Sequence, residues 1–118
     1  MYDPNNVFAK ILRGELPVTR VYEDAHVLAF KDIRPAAPIH VLVVTKAPYT
    51  SFDDFSVHAS KEEVIQFWGG VRETVHALKL SARGYRVITN VGADGGQEVP
   101  HFHVHILAGK PLGAKVCA

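Results

Sequence analysis

The chain has 118 residues, 47% of them hydrophobic, and a formal charge of +1 at pH 7. That length suits one compact domain, 1–118, with short tails at about 1–6 and 109–118, and the near-zero charge gives no general case for nucleic acid or an anionic membrane as partner. No apolar run approaches the roughly 18 residues of a membrane span, the opening Met1-Tyr2-Asp3-Pro4-Asn5-Asn6 lacks the basic and apolar regions of a signal peptide, and the lone Cys117, a free terminal thiol, forms no internal disulfide; these features point to a reducing, cytoplasmic setting.

In chain order, Val7 to Arg13 reads as a short helix closed by Gly14 and followed by Pro17. Thr19 to Glu23 and Val27 to Lys31 read as a hairpin turning near Asp24-Ala25. His40 to Val44 is rich in β-branched residues and reads as a buried strand. Thr45 to Ala59 reads mostly as loop. Ser60-Lys61-Glu62-Glu63 is a capping-box pattern, and Val64, Trp68, Val71, Val75 and Leu78 mark one apolar stripe of a helix reaching about Leu80. Gly69-Gly70 weaken that helix. Tyr85 to Val91 and His101 to Ala108 close the set as two strands. Hairpins, one long and one short helix, and few parallel crossovers predict an α+β fold on an antiparallel sheet of about five strands.

The most informative segment is Pro100-His101-Phe102-His103-Val104-His105-Ile106-Leu107. A strand turns successive side chains to opposite faces. Three imidazoles then share one face, and Phe102, Val104 and Ile106 share the other. A solvated strand face normally draws on Thr, Lys, Glu and Ser, so three histidines there point to chemistry.

Clustered histidines serve either metal binding or nucleophilic and acid–base catalysis. Same-face neighbours on a strand lie about 6.6 Å apart and the outer pair about 13 Å apart. Zinc holds nitrogen at about 2.0–2.1 Å, so three ligands from one straight strand do not close on one ion. His40 is the candidate to complete a set such as His101/His103/His40. The favoured reading is catalysis with no metal and no cofactor. Upstream, Asn90-Val91-Gly92-Ala93-Asp94-Gly95-Gly96-Gln97-Glu98-Val99 is a glycine-rich turn. Such a turn is a plain loop or a nest of N–H groups that receives an oxyanion. Its position directly before the histidines favours the second.

His101 to Leu107 fits the His-φ-His-φ-His-φ-φ pattern, with φ apolar, of the histidine triad (HIT) superfamily. Gly95-Gly96-Gln97 and the block Phe30-Lys31-Asp32-Ile33-Arg34-Pro35-Ala36-Ala37-Pro38-Ile39-His40 resemble its small nucleotide-binding (HINT) branch. The resemblance runs from about Val7 to Gly113 and implies a HIT-like fold. It implies that His103 is the nucleophile, that His101 and His105 flank the phosphate, and that His40 supports the nucleophile by hydrogen bonding. Either ring nitrogen of His103 is able to attack. Backbone N–H groups near Gly96 and Glu98, beside Gln97, would hold phosphate oxygens. By the same match Asp32 receives the ribose hydroxyls, and Asn90 touches the phosphate or sugar. Val7, Phe8, Ile11, Leu16, Phe30, Ile33 and Leu42 line the base pocket; without the resemblance all seven read as core.

The chain departs from its relatives in places. Glu98 stands where some carry a serine contacting the leaving group, and a carboxylate there favours amines over anions. Pro100 replaces a frequent tyrosine and removes one ladder donor. Asn6 and Ala9 occupy positions where some bacterial relatives place zinc-binding cysteines. The tail Gly109-Lys110-Pro111-Leu112-Gly113-Ala114-Lys115-Val116-Cys117-Ala118 lacks the tryptophan that some relatives send across a dimer.

The resemblance implies a hydrolase of purine nucleoside phosphoramidates that cleaves the P–N bond of AMP–amines through a nucleotidyl-histidine intermediate. A dinucleoside polyphosphate hydrolase of the same superfamily, a nucleotide-binding module with little turnover, and a zinc module are the alternatives. It also implies a two-fold homodimer, for which Phe67 and Trp68 of the long helix and the edge strand Tyr85 to Asn90 are the candidate contacts, with Lys110 to Lys115 reaching the partner's leaving-group site.

Overall fold

The computed structural model describes residues 1–114. Five strands form one sheet: β1 (Arg20–Glu23), β2 (Val27–Lys31), β3 (Ile39–Thr45), β4 (Arg86–Ile88) and β5 (His103–Ala108). Their order is β1-β2-β3-β5-β4, and every neighbouring pair is antiparallel. Four helical segments accompany them: α1 (Val7–Leu12), α2 (Phe52–His58), α3 (Lys61–Ala77) and the single turn α4 (Gly92–Gly95). The α+β class and the antiparallel sheet of five strands stand as the sequence reading has them.

Alternation along the strands builds two apolar layers. Val27, Ala29, Val41, Val43, Val104 and Ile106 face α2 and α3, where Phe55, Phe67, Val71 and Val75 cover them. Leu28, Phe30, Leu42 and Val44 face the other way and are covered by Phe8 and Ile11 of α1. Asn6 caps α1 by accepting from the Ala9 N–H at 2.9 Å. Asp24 turns the first hairpin by accepting from the N–H groups of His26 and Val27.

Four local expectations change. Of the strand read over Tyr85 to Val91, only Arg86–Ile88 forms. The stretch 45–59 is not mostly loop, because α2 occupies Phe52–His58. Ser51 caps it by accepting from the Asp54 N–H at 3.2 Å, and Asp53 and Asp54 lie in its positively polarised first turn. The strand read from His101 begins instead at His103. Across Pro100, which has no N–H to give the ladder, the His101 N–H donates to the Val99 carbonyl at 2.8 Å and turns the chain. The buried face of α3 adds Phe67, Gly70 and Thr74 to the Val71 and Val75 read from the sequence, Val64 and Leu78 pack against it half-buried, and Trp68 departs from the expected stripe at 39% exposure. The capping box itself is formed, with Ser60 and Glu63 each bonding the other's backbone N–H.

Gly70 accounts for the close fit of this face. A Cβ there would lie 2.5 Å from Val27 Cγ2, so the helix rests against β2 at a distance no side chain permits. Thr74 fits the same buried row because its hydroxyl donates to the Gly70 carbonyl at 2.8 Å. At Gly69 a Cβ meets nothing within 4 Å. Gly70→Ala is therefore expected to destabilise the protein by about 1–3 kcal/mol through overpacking. Gly69→Ala should stabilise it by about 0.5–1 kcal/mol, the usual helix gain from alanine. Urea denaturation of the two variants checks the contrast, and equal effects would refute the close-approach account.

Candidate active site

The pairing of β3 with β5 sets the site. Leu42 stands opposite His105, Val44 opposite His103, and His40 opposite Leu107. Directly opposed residues share a face, so His40, His103 and His105 lie on the α1 side of the sheet. His101 precedes the strand, yet its ring stays with the group, because Phe8 meets the rings of both His101 and His103 edge-on, with centroids 6.2 and 4.8 Å away. Phe102, Val104 and Ile106 point into the opposite layer, as their alternation requires.

Hydrogen bonds assign the tautomers, because a carbonyl oxygen only accepts. His103 Nδ1 is 2.6 Å from the His101 carbonyl and so carries the proton, which leaves the Nε2 lone pair available. His101 Nε2–H donates to the Thr45 carbonyl at 2.6 Å, and its Nδ1 accepts from the Tyr2 hydroxyl at 2.6 Å. On β3, the Ala36 N–H donates to His40 Nδ1 at 2.9 Å, so His40 carries its proton on Nε2. His40 Nε2–H donates to His105 Nδ1 at 2.9 Å, and Asp32 Oδ2 lies 3.4 Å from His40 Nε2. His105 therefore carries its own proton on Nε2.

His40 thus supports His105 and not His103, a correction to the role the resemblance implies. The register explains it. His40 lies diagonal to His105, whereas His103 is further along β5, opposite Val44.

Burial holds all four rings neutral. It lowers the pKa of His101 to about 4, against the pull of the Thr45 carbonyl. Burial, aided by neighbouring His103 and His40, lowers His105 to about 4, with Asp32 opposing. His103 is lowered by burial although its bond to the His101 carbonyl resists, and His40 is lowered by burial against Asp32. At neutral pH every one of these imidazoles has an unprotonated nitrogen.

A model of the HIT domain matches residues 13–112. The chain belongs to the HIT family. A 13.2 kDa HIT-like protein of Azospirillum brasilense is 48% identical over 115 residues, covering 98% of this chain and 94% of that one. The purine nucleoside phosphoramidase of Escherichia coli K12 is 39% identical over 108 residues, covering 91% and 89%. Among solved structures, a histidine triad protein from Clostridium difficile superposes with a TM-score of 0.85 at 43% identity, covering 98% of this chain and all of that one. A HIT family hydrolase from Clostridium thermocellum gives a TM-score of 0.86 at 39% identity, with 96% and 97% covered.

The remaining residues singled out in the sequence fall into distinct groups. Phe8, Ile11, Phe30 and Leu42 are buried and form a floor beneath the histidines. Val7, Leu16 and Ile33 are exposed, Ile33 at 87%, so they are not core. Asp32 is half-buried; one carboxylate oxygen accepts from the Arg34 N–H at 2.8 Å, and the other faces His40. Asn90 is half-buried beside Gly95.

The glycine-rich turn differs from an open nest. The Gly96 and Gln97 N–H groups donate within it, to the Ala93 and Gly92 carbonyls. The Gln97 side chain ties it down by accepting from the Gly92 N–H and donating to the Thr50 and Val99 carbonyls. Gly96, left-handed at φ 74°, and Gln97 therefore shape the turn, and their N–H groups are committed inside it. Glu98 is exposed beside it.

Two contributors carry no sequence signal of their own. Thr89 donates to the His103 carbonyl at 2.8 Å, and Tyr2 reaches across 99 positions to His101. Both contacts are long-range, so no local pattern points to them.

The metal set His101/His103/His40 is not assembled. Among the described residues the group with suitable spacing is Asp32, His40 and His105, whose ligand atoms lie within 4.8 Å of one another. His40 Nδ1 accepts from Ala36 and Nε2 bears the proton, so coordination there through Nε2 would require an imidazolate. The donor set fits a hydrogen-bonded relay better than an ion.

Neutral buried histidines make stability depend on acid. An unfolded histidine takes up its proton near pH 6.5, whereas His101 and His105 do so at about 4 in the folded chain. Below pH 6.5 the unfolded state binds more protons, so stability is complete above that pH and is lost as pH falls toward 4. For His101 the slope approaches about 1.4 kcal/mol per pH unit. Urea midpoints are expected to drop between pH 6.5 and 4.5, and to drop less in His101→Asn. A midpoint independent of pH in that window would contradict the neutral, buried assignment.

Proposed function

We propose that this HIT-family protein is a hydrolase of purine nucleoside 5′-phosphoramidates, cleaving the P–N bond of AMP–amines at His103. The observation that carries the reading is the state of that ring. Its Nδ1–H is held by the His101 carbonyl at 2.6 Å, burial keeps it neutral, and the Nε2 lone pair is left as a nucleophile. Resemblance to the Escherichia coli phosphoramidase over nearly the whole chain supports the substrate class.

Attack by Nε2 on the α-phosphorus forms a histidine N–P bond while the bond to the amine breaks. The amine departs protonated, taking its proton from water, and the hydroxide so formed cleaves the nucleotidyl-histidine, releasing the nucleoside monophosphate and restoring the neutral imidazole. His105 Nε2–H donates to a non-bridging phosphoryl oxygen. His40 and the Ala36 N–H fix that proton on the correct side of the ring. Asp32 receives the ribose hydroxyls and the exposed Ile33 and Val7 cover the base, with Phe8, Phe30 and Leu42 beneath. Asn90 lies at the phosphate end. Exposed Glu98 meets the leaving group and favours a cationic amine over an anion. None of these steps calls for a cofactor.

A lysine–AMP phosphoramidate compared with a dinucleoside polyphosphate tests the substrate class. At least tenfold higher kcat/KM for the phosphoramidate is expected, and the reverse order overturns the reading. His103→Ala should reduce turnover by about 10³-fold or more while AMP affinity changes only a few-fold, because ground-state binding does not use the nucleophilic nitrogen. Near-normal turnover in that variant would exclude the covalent route.

The reading includes a two-fold dimer across β4. This edge strand has one unpaired side and carries exposed Val87, next to exposed Tyr85, while Ile65 and Trp68 are exposed on α3. Phe67, named in the sequence reading, is excluded from the contact because it is buried in its own core at 1% exposure. In the tail, Arg83 and Arg86 donate to the Gly109 and Gly113 carbonyls and hold that stretch beside β4; Lys115 and Cys117 lie outside the described residues. Light scattering at micromolar concentration should give the mass of two chains, and Val87→Lys should shift it toward one. A wild-type monomer with full activity would refute the dimer.

The reading includes a reducing cytoplasmic setting. No helix among the described residues is long and apolar enough to cross a membrane.

A further inference from the structure

We propose that the cleft between the start of β4 and the tail is a second anion site, separate from the histidines, which takes a small ligand carrying two linked phosphate groups.

Charge is unevenly spread along the chain. Residues 74–93 and 99–118 contain five of the 13 Lys and Arg residues and none of the 12 Asp and Glu residues. The first segment supplies β4 and the loop before it, and the second supplies β5 and the tail. Because β4 pairs with β5, the fold sets the two basic segments side by side.

Where they meet, a cavity of about 380 Å³ opens between Arg83, Tyr85 and Arg86 on one side and Gly109, Lys110 and Pro111 on the other. None of the four site histidines lines it, and no carboxylate does. Its volume falls within the roughly 300–1,000 Å³ of small-ligand pockets. A nucleic acid would need an extended basic stripe instead. Among the described residues, Arg83, Arg86 and Lys110 take part in no ion pair.

The walls are set before any ligand arrives. Gly109, at φ 102°, turns the chain away from β5, and a Cβ there would lie 2.7 Å from Pro38 Cβ. Arg83 Nη2–H donates to the Gly109 carbonyl at 3.2 Å, and Arg86 Nη2–H to the Gly113 carbonyl at 2.8 Å. A guanidinium has five N–H donors in one plane, so one bond anchors each and the others remain. Anchoring removes part of the rotamer entropy that binding would otherwise cost. The fork matches two phosphate oxygens, and Lys110 adds a point charge. A single phosphate group carries about −1.5 to −2 near neutral pH, short of three cations. A second linked phosphate closes the difference.

Inorganic pyrophosphate titrated into the ¹⁵N-labelled full chain tests the site. Saturable shifts are expected at the amides of Arg83, Arg86, Gly109 and Lys110, with a Kd of about 1 mM or lower. Added NaCl should weaken them. Sulfate, a single anion, should bind at least about tenfold more weakly, for want of the second phosphate. Lys110→Gln has no ion pair to lose and should weaken pyrophosphate about fivefold, the scale of one exposed charge pair. Arg86→Gln should weaken it further. ADP separates the two sources of this chemistry. Tighter binding of ADP at these amides makes the ligand a nucleotide with its base on exposed Tyr85; equal or weaker binding makes it the free anion. Absence of shifts at these amides, which a second copy covering the cavity would also give, overturns the proposal. So do shifts confined to His103 and Asn90, equal affinity for sulfate, or unchanged affinity in Lys110→Gln. The titration involves no turnover, so it stands or falls apart from the phosphoramidate reading.

Discussion

The antiparallel register of β3 on β5 is the constraint from which the site follows. It sets Leu42 opposite His105 and Val44 opposite His103, and it leaves His40 diagonal to His105. A slip of one residue would turn His103 and His105 into the layer beneath α3 and carry Val104 and Ile106 out of it. That layer holds buried Phe55, Phe67, Val71 and Val75, so the apolar face of β5 is strongly specified. The chemistry on one face is thus kept in register by packing on the other.

Burial then determines the protonation of the histidines, and the backbone determines their tautomers. Each ring is withdrawn far enough from water to stay neutral, and each has a main-chain partner or a neighbouring ring that decides which nitrogen carries the proton. Carbonyls of His101 and Thr45 and the Ala36 N–H supply that information at little side-chain entropy cost, because their positions are already set by the fold. Two routes converge on the histidine cluster: Ala36 through His40 to His105, and Tyr2 with Thr45 through His101 to His103.

The difference between the read and the observed α3 stripe illustrates how much side-chain pattern depends on the partner surface. By apolar content alone Trp68 belongs inside and Gly70 outside. The observed helix brings Gly70 against Val27 and leaves Trp68 at the margin of the buried face, 39% exposed. Close approach to the sheet is available only on the glycine row, and the helix adopts it because interdigitation at short range gains more contact than burying a large ring at longer range. The same reasoning covers α2, whose Ser51 cap and first-turn acids were present in the sequence but whose apolar anchor, Phe55, gains its meaning only from Phe67 and Phe102 beneath it.

By itself the sequence determined the α+β class, the hairpin, the capped long helix and the shared face of the histidines. Each follows from period, capping and turn residues acting over a few positions. The histidine pattern and the upstream Asp32–His40 block also carried the family resemblance. Tertiary structure alone decided that His40 serves His105, that Nε2 of His103 is the free nitrogen, that Gln97 locks its own turn, and that Tyr2 completes His101. Those contacts join residues 2, 65 and 99 positions apart, or depend on which main-chain group a ring meets. Local propensity is blind to both, because a tautomer and a long-range hydrogen bond exist only once packing has brought donor and acceptor within about 3 Å of each other.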